Sequence, residues 1–252
     1  MNPLNESLNE SLNEPLNEPP REPLNEQIKL VVLDMAGTTV ADDGLVEQAF
    51  TAAAQALGED PAPMLGHVRA TMGESKISAF RHLFGGDETK ARAANAAFED
   101  AYGTLVADGR IAQVPGARAA IEELRGQGRA VVLTTGFARV TQDAILDALG
   151  WRDLADLTLC PADAGGRGRP HPDMVLAAFL RTRAADGVRQ IAVAGDTSYD
   201  MLSGVRSGAG VVAGVLTGAH DEPRLRQHGA THILGSAAEL PGLLADLTGQ
   251  GL

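Results

Sequence analysis

Asp34 ends an unbroken apolar run and is followed by Met35-Ala36-Gly37-Thr38-Thr39-Val40. A carboxylate at a strand end, with a glycine and two hydroxyls behind it, is well placed as a nucleophile, because carboxylates attack phosphorus and form acyl phosphates. Asp196 and Asp200 lie four residues apart in Val193-Ala194-Gly195-Asp196-Thr197-Ser198-Tyr199-Asp200. That spacing aims two carboxylates at one point, and paired carboxylates with water and phosphate oxygens suit octahedral Mg²⁺. Thr134 and Thr135 end a third apolar run, just before Gly136. A hydroxyl there, with the backbone N–H groups that follow, can hold phosphate oxygens. Arg169 sits on a loop rich in glycine and proline and could neutralise charge on a transferring group; Arg167 competes for that role. Taken singly, each has an ordinary alternative: a capping aspartate, a turn threonine, a solvated loop arginine.

These residues must be positioned by the elements around them. Residues 28–34 are a continuous apolar run, which predicts a buried parallel strand. From about Asp43 to Ile111 the periodicity is helical and alanine-rich, broken at Gly58, Pro61, Gly73 and the Gly85-Gly86 pair. That predicts an all-helical insert. Beyond Val114-Pro115-Gly116, short apolar strands alternate with helical segments to the end of the chain. The alternation predicts a doubly wound, Rossmann-like parallel sheet with right-handed crossovers. Ligands of such folds sit beyond the carboxyl ends of the strands, where Asp34, Thr134, Thr135 and Asp196 fall.

The chain has 252 residues and a net charge of −12. Residues 4–27 form a tetrapeptide repeat with six glutamates against Arg21, and one leucine per unit cannot bury a core. They read as a disordered tail. The acidic balance argues against a nucleic-acid surface, so positive charge for an anionic substrate must be local. No apolar run reaches membrane-span length, and the start lacks the pattern of a signal peptide. The single cysteine, Cys160, forbids an intrachain disulfide and fits a reducing cytosol.

A strand-end Asp, a strand-end Thr, a loop cation and a strand-end Asp pair, in this order, resemble the four motifs of the haloacid dehalogenase superfamily from about Ile28 to Leu243. The resemblance implies an α/β core over residues 28–41 and 114–252, a helical cap over 42–113 and a tail over 1–27. It implies Asp34 as nucleophile, Thr135 as phosphate-binding hydroxyl and Arg169 as the neutralising cation. Mg²⁺ would be held by Asp34, the Ala36 carbonyl, Asp196 and Asp200. Phosphatases of the superfamily usually carry a second Asp two residues after the nucleophile, as acid for the leaving alkoxide. Here that position is Ala36. Without an acid an alkoxide leaves roughly 10²–10⁴-fold more slowly.

Asp34-Met35-Ala36-Gly37-Thr38-Thr39 is similar instead to the phosphonoacetaldehyde hydrolase branch, which also has Ala there. That branch carries Met-Gly-x-x-Lys in its cap, and this chain has Met72-Gly73-Glu74-Ser75-Lys76. The resemblance implies that Lys76 forms an imine with a substrate aldehyde. A protonated imine is an electron sink, so the carbon leaving group departs as an enamine and needs no acid. The histidine that the branch has three residues after its lysine is Ala79 here, its aromatic residue after the nucleophile is Met35, and its motif-two tyrosine is Phe137. His82 lies six residues beyond Lys76. The implied ligand is a small phosphorylated or phosphonate molecule, bordered by Ala36, Gly37, Met72, Gly73, Thr134 and Gly136. A cytoplasmic enzyme is expected, with no nucleic-acid or membrane partner, and a homodimer through the cap is compatible with the pattern. The alternatives are a phosphomonoesterase of the phosphoglycolate type and a non-catalytic binding protein on the same scaffold.

Overall fold

The first apolar run becomes β1 (Leu30–Asp34), with every residue buried. In the computed structural model, which describes residues 27–249, β1 lies at the centre of a six-stranded sheet. The other strands are β2 (Ala130–Thr134), β3 (Leu157–Leu159), β4 (Ile191–Gly195), β5 (Val211–Val215) and β6 (His232–Leu234). All pairings are parallel, in the order β3-β2-β1-β4-β5-β6. This is the doubly wound α/β architecture expected from the alternation of strands and helices. Strands buried on both faces explain why β1, β4 and β5 read as continuous apolar runs rather than alternating ones. The edge strands β3 and β6 span only three residues each. The strand order reverses between β1 and β4, and the crevice at such a reversal is where open α/β sheets bind ligands.

Five helices stand between β1 and β2, and the first four form the insert: α1 (Leu45–Ala56), α2 (Ala62–Ala70), α3 (Lys76–Leu83) and α4 (Glu88–Ala107). Their breaks coincide with Gly58, Pro61, Gly73 and the Gly85-Gly86 pair, and each of those glycines has a positive φ. A chain of aromatic rings fastens the helices to the sheet. Phe50 meets Phe80 at 4.7 Å and Phe98 at 4.9 Å, while Tyr102 meets Phe137, in the loop after β2, at 4.7 Å. Burying each such ring contributes about 1.5–3 kcal/mol. The inserted helices and the α/β layer therefore share one hydrophobic core.

The remaining helices are α5 (Ala117–Gly126), α6 (Arg139–Leu149), α7 (Asp173–Thr182), α8 (Ser198–Ser207), α9 (Glu222–Gln227) and α10 (Leu240–Gly249). The repeat at residues 4–26 lies outside the described residues. Among the described residues, no helix is long and apolar enough to cross a membrane.

Candidate active site

Parallel strands end on the same side of a sheet, so β1 and β4 bring Asp34 and Asp196 together across the central crevice. The turn after β1 is drawn tight by the Met35 carbonyl, which accepts the N–H groups of Thr38, Thr39 and Val40. That turn aims Thr38 at Asp196: the Thr38 hydroxyl donates to Oδ1 at 2.9 Å, and the Ala219 N–H donates to Oδ2 at 2.8 Å. Gly37, at φ +85°, is required here, because a Cβ would lie 2.4 Å from Asp196 Oδ2.

Asp200 sits in the first turn of α8, and its Oδ2 accepts from the N–H and hydroxyl of Thr197 at 3.1 and 2.5 Å in a capping box. Arg169 joins the two sides. One Nη donates to Asp34 Oδ1 at 2.6 Å and to the Thr134 hydroxyl at 2.8 Å, while Nε pairs with Asp200 Oδ1 at 2.8 Å. All four of these residues are buried.

Asp34, Asp196 and Asp200 each offer an oxygen, all within 4.8 Å of one another. Three buried carboxylates face one guanidinium, an imbalance that buried charge does not tolerate without a counter-ion or a proton. Burial pushes the Asp34 carboxyl up to about 7, against the pull of Arg169. Burial and the neighbouring Asp34 and Asp200 hold Asp196 well above the usual carboxylate range. Hard oxygen donors with excess negative charge fit a divalent cation such as Mg²⁺.

Above this cluster lies a cavity of about 630 Å³. Asp34, Ala36, Gly37, Thr135, Gly136, Arg169 and Asp196 border it from the sheet side, and Met72, Gly73 and Lys76 from the inserted helices. The segment carrying Lys76 is docked closely. The Lys76 N–H donates to the Gly136 carbonyl at 3.4 Å, and a Cβ on Gly136 would lie 2.8 Å from the Glu74 carbonyl oxygen. A Cβ on Gly73 would lie 2.3 Å from the Thr197 hydroxyl.

Lys76 is 7% exposed, and its ammonium stands 5.3 Å from the Phe137 ring centroid and 5.9 Å from that of Phe50. No hydrogen bond or ion pair of its Nζ is formed among the described residues. Burial lowers its pKa and Arg169 adds to this, while Asp42, Asp34 and Glu74 oppose it. Glu74 is itself pushed up by burial to about 7, so its opposition is weakened by protonation near neutral pH.

A model of the haloacid dehalogenase-like hydrolase family matches residues 28–208, a span that contains Asp34, Thr135, Arg169, Asp196 and Asp200. The chain belongs to the haloacid dehalogenase-like hydrolases. Protein CbbY of Rhodobacter capsulatus is 26% identical over 164 residues, which cover 61% of this chain and 71% of that protein. The structure of a phosphonoacetaldehyde hydrolase like protein from Oleispira antarctica superposes with a TM-score of 0.77 at 21% identity, covering 94% of this chain and 98% of that one. A predicted phosphoglycolate phosphatase from Haemophilus somnus superposes with a TM-score of 0.70 at 18% identity, covering 86% and 98%.

Within this hydrolase, the residues singled out from sequence divide into two sets. Asp34, Ala36, Gly37, Met72, Gly73, Lys76, Thr135, Gly136, Arg169 and Asp196 all border the cavity. Thr134 and Asp200 are not among its lining residues; both bear on it through Arg169. The Thr134 side chain points beneath the arginine and donates to the Leu33 carbonyl at 3.3 Å, so it positions the cation rather than facing the ligand space. Arg167, the competing cation, pairs with Asp173 at the surface.

His82 stacks on His67 at 4.1 Å within the inserted helices and does not line the cavity. His220 is buried, accepts the Ser198 N–H on Nδ1 at 2.8 Å, and is pushed down by burial to about 4, so it braces the start of α8 as a neutral ring. Trp151 and Cys160 are buried packing residues.

Sequence reasoning missed the loop after β5, where Thr217 donates to the Gly37 carbonyl at 2.7 Å and Ala219 holds Asp196. A Cβ on Gly218 would lie 1.9 Å from Asp196 Oδ2. The signal was available: this loop also follows the carboxyl end of a central strand. It missed Asp42, Glu47 and Arg69 on the cavity wall as well, because nothing local distinguishes them from solvated helix residues.

Proposed function

We propose that this hydrolase cleaves the carbon–phosphorus bond of a small phosphonate aldehyde, with Asp34 receiving the phosphoryl group and Lys76 holding the carbonyl carbon as an imine. The observation that carries this reading is the amine of Lys76, buried without an ion-pair partner among the described residues, in the cavity that Asp34 borders. Position 36 meanwhile offers no carboxyl acid for an alkoxide leaving group. The Lys76 pKa is lowered by burial, which favours the neutral amine that attacks a carbonyl. Likeness to the Oleispira antarctica protein supports the same reading.

In the proposed reaction the Lys76 amine condenses with the aldehyde and water leaves. An Asp34 oxygen then attacks phosphorus. The electron pair of the breaking bond passes into the iminium, giving an enamine on Lys76. Arg169 balances charge on Asp34 and on the phosphoryl oxygens, which Thr135 and the backbone at Gly136 orient. Water then hydrolyses the aspartyl phosphate, and protonation and hydrolysis of the enamine release the aldehyde product. A magnesium ion held by Asp34, the Ala36 carbonyl and Asp196, with Asp200 behind them, would offset phosphoryl charge. Residues 42–113 act as a cap that closes over the core and carries Lys76 into the site.

The test is incubation with phosphonoacetaldehyde and borohydride. The expected result is loss of activity and an adduct mass on Lys76, with Lys76→Arg losing phosphonate cleavage. No adduct, together with full activity of Lys76→Arg on the best substrate, overturns the reading. The second reading is a small-molecule phosphomonoesterase of the phosphoglycolate type, favoured by likeness to the Haemophilus somnus protein. Lys76 would then bind an anionic group, and phosphate release from phosphoglycolate would exceed that from the phosphonate.

A further inference from the structure

Imine formation needs a proton as well as an amine. When an amine adds to an aldehyde, the resulting carbinolamine loses its hydroxyl only as water, so an acid must deliver a proton to that oxygen. Histidine is absent from the cavity wall: position 79 is alanine, and His82 is occupied in its stack with His67. The acids on that wall are Asp34 and Asp196, committed to the phosphorus side, and Asp42, Asp43 and Glu47. Glu47 is gripped by Arg69 through two hydrogen bonds of 2.7 and 2.8 Å, and Asp43 is exposed. Asp42 is left.

We propose that Asp42 is the proton-transfer residue of imine formation, delivering a proton to the carbinolamine hydroxyl on Lys76 and taking it back when the product imine is hydrolysed. The inference rests on the phosphonatase reading of the same cavity. Atoms and charge balance: the carbinolamine and the Asp42 carboxylic acid become iminium, water and carboxylate. The reverse hydration returns the proton to Asp42.

Geometry supports the assignment. Asp42 lies in the turn just before α1, with Oδ1 fixed by the Val46 N–H at 3.0 Å, which steadies the carboxyl. Asp42 and Lys76 line the same cavity, and the Asp42 charge acts on the Lys76 amine together with those of Asp34 and Glu74. The groups that bear on Asp42 are Lys76 and its neighbours Asp43 and Glu47, and Asp42 in turn bears on the buried Tyr102 hydroxyl. Burial raises its carboxyl above the ordinary range, the direction a proton donor needs.

The test measures the rate at which borohydride traps the Lys76 adduct in full-length protein with phosphonoacetaldehyde, apart from any phosphorus chemistry. Asp42→Asn keeps an oxygen for Val46 but cannot give a proton, and is expected to slow adduct formation by about 10²–10⁴-fold. Asp42→Glu is expected to restore most of that rate. Trapping by Asp42→Asn at the wild-type rate overturns the assignment while leaving the imine reading intact. Equal slowing in Asp42→Asn and Asp42→Glu overturns it too, since a structural role would not distinguish an amide from an acid. If wild type forms no adduct, the imine reading itself fails and this inference falls with it.

Discussion

Replacing Arg169 with methionine removes the one guanidinium that joins Asp34 to Asp200. The side chain is lost from two ion pairs of 2.6 and 2.8 Å and a 2.8 Å hydrogen bond to Thr134, and none of the partners is more than 5% exposed. Removing one partner of a buried pair costs about 3–5 kcal/mol, because the other charge stays buried and unpaired. For a domain of this size about 1 kcal/mol moves the melting temperature by about 2–4 °C, so a fall of roughly 6–20 °C is expected. The loss depends on pH, and the sign is fixed. Asp34 already titrates near about 7 in the folded protein, above its ordinary 3.8, so the folded state binds more protons than the unfolded chain. Its protonation stabilises at low pH, and that contribution disappears as pH rises through about 7. Without Arg169 the Asp34 carboxyl rises further, so the deficit of Arg169→Met widens between pH 6 and pH 8. Magnesium at about a hundred times its dissociation constant should return about 2.7 kcal/mol by binding the folded state alone. The assay is thermal unfolding by circular dichroism, in chelator and in magnesium, at both pH values. Melting of the variant within about 2 °C of wild type in chelator at both pH values would refute the reasoning.

Asp34→Asn is nearly isosteric and removes the proposed attacking oxygen; turnover should vanish while substrate still protects the protein against thermal unfolding, and near-wild-type activity would show the nucleophile to lie elsewhere. Gly73→Ala places a Cβ 2.3 Å from the Thr197 hydroxyl at φ +93°, so the segment that presents Lys76 must lift. At about 1–2 kcal/mol for the backbone alone, melting should fall by about 2–8 °C and kcat/KM about tenfold or more. Glu74 is held near about 7 rather than 4.5, so its contribution to stability is present below pH 4.5 and is lost as pH rises through about 7. Unfolding of Glu74→Gln should therefore depend less on pH across that window, and an unchanged profile would count against a raised Glu74 pKa.

The sheet and the edge that bears the candidate site were legible in the sequence for a simple physical reason. A strand buried on both faces must be apolar along its whole length, so Leu30–Leu33 and Ile191–Ala194 announce themselves, and the polar residue that ends each run falls at the carboxyl edge where ligands bind. Asp34, Thr135 and Asp196 followed from that rule, and Arg169 and Lys76 from motif spacing. What these side chains do to one another was decided only by the tertiary structure. Thr134 is the last residue of β2 and Thr135 the first beyond it; register with β1 turns Thr134 under Arg169 and leaves Thr135 at the cavity. Motif spacing favoured Arg169 over Arg167, and packing gives the physical reason: Arg169 turns inward and is buried, while Arg167 pairs with Asp173 at the surface. Asp42 and the Thr217–Ala219 loop stayed hidden because their importance comes from contacts made across the fold. Thr217 reaches Gly37 across 180 residues of chain, and Asp42 and Lys76 come to line one cavity only where the inserted helices close on the sheet.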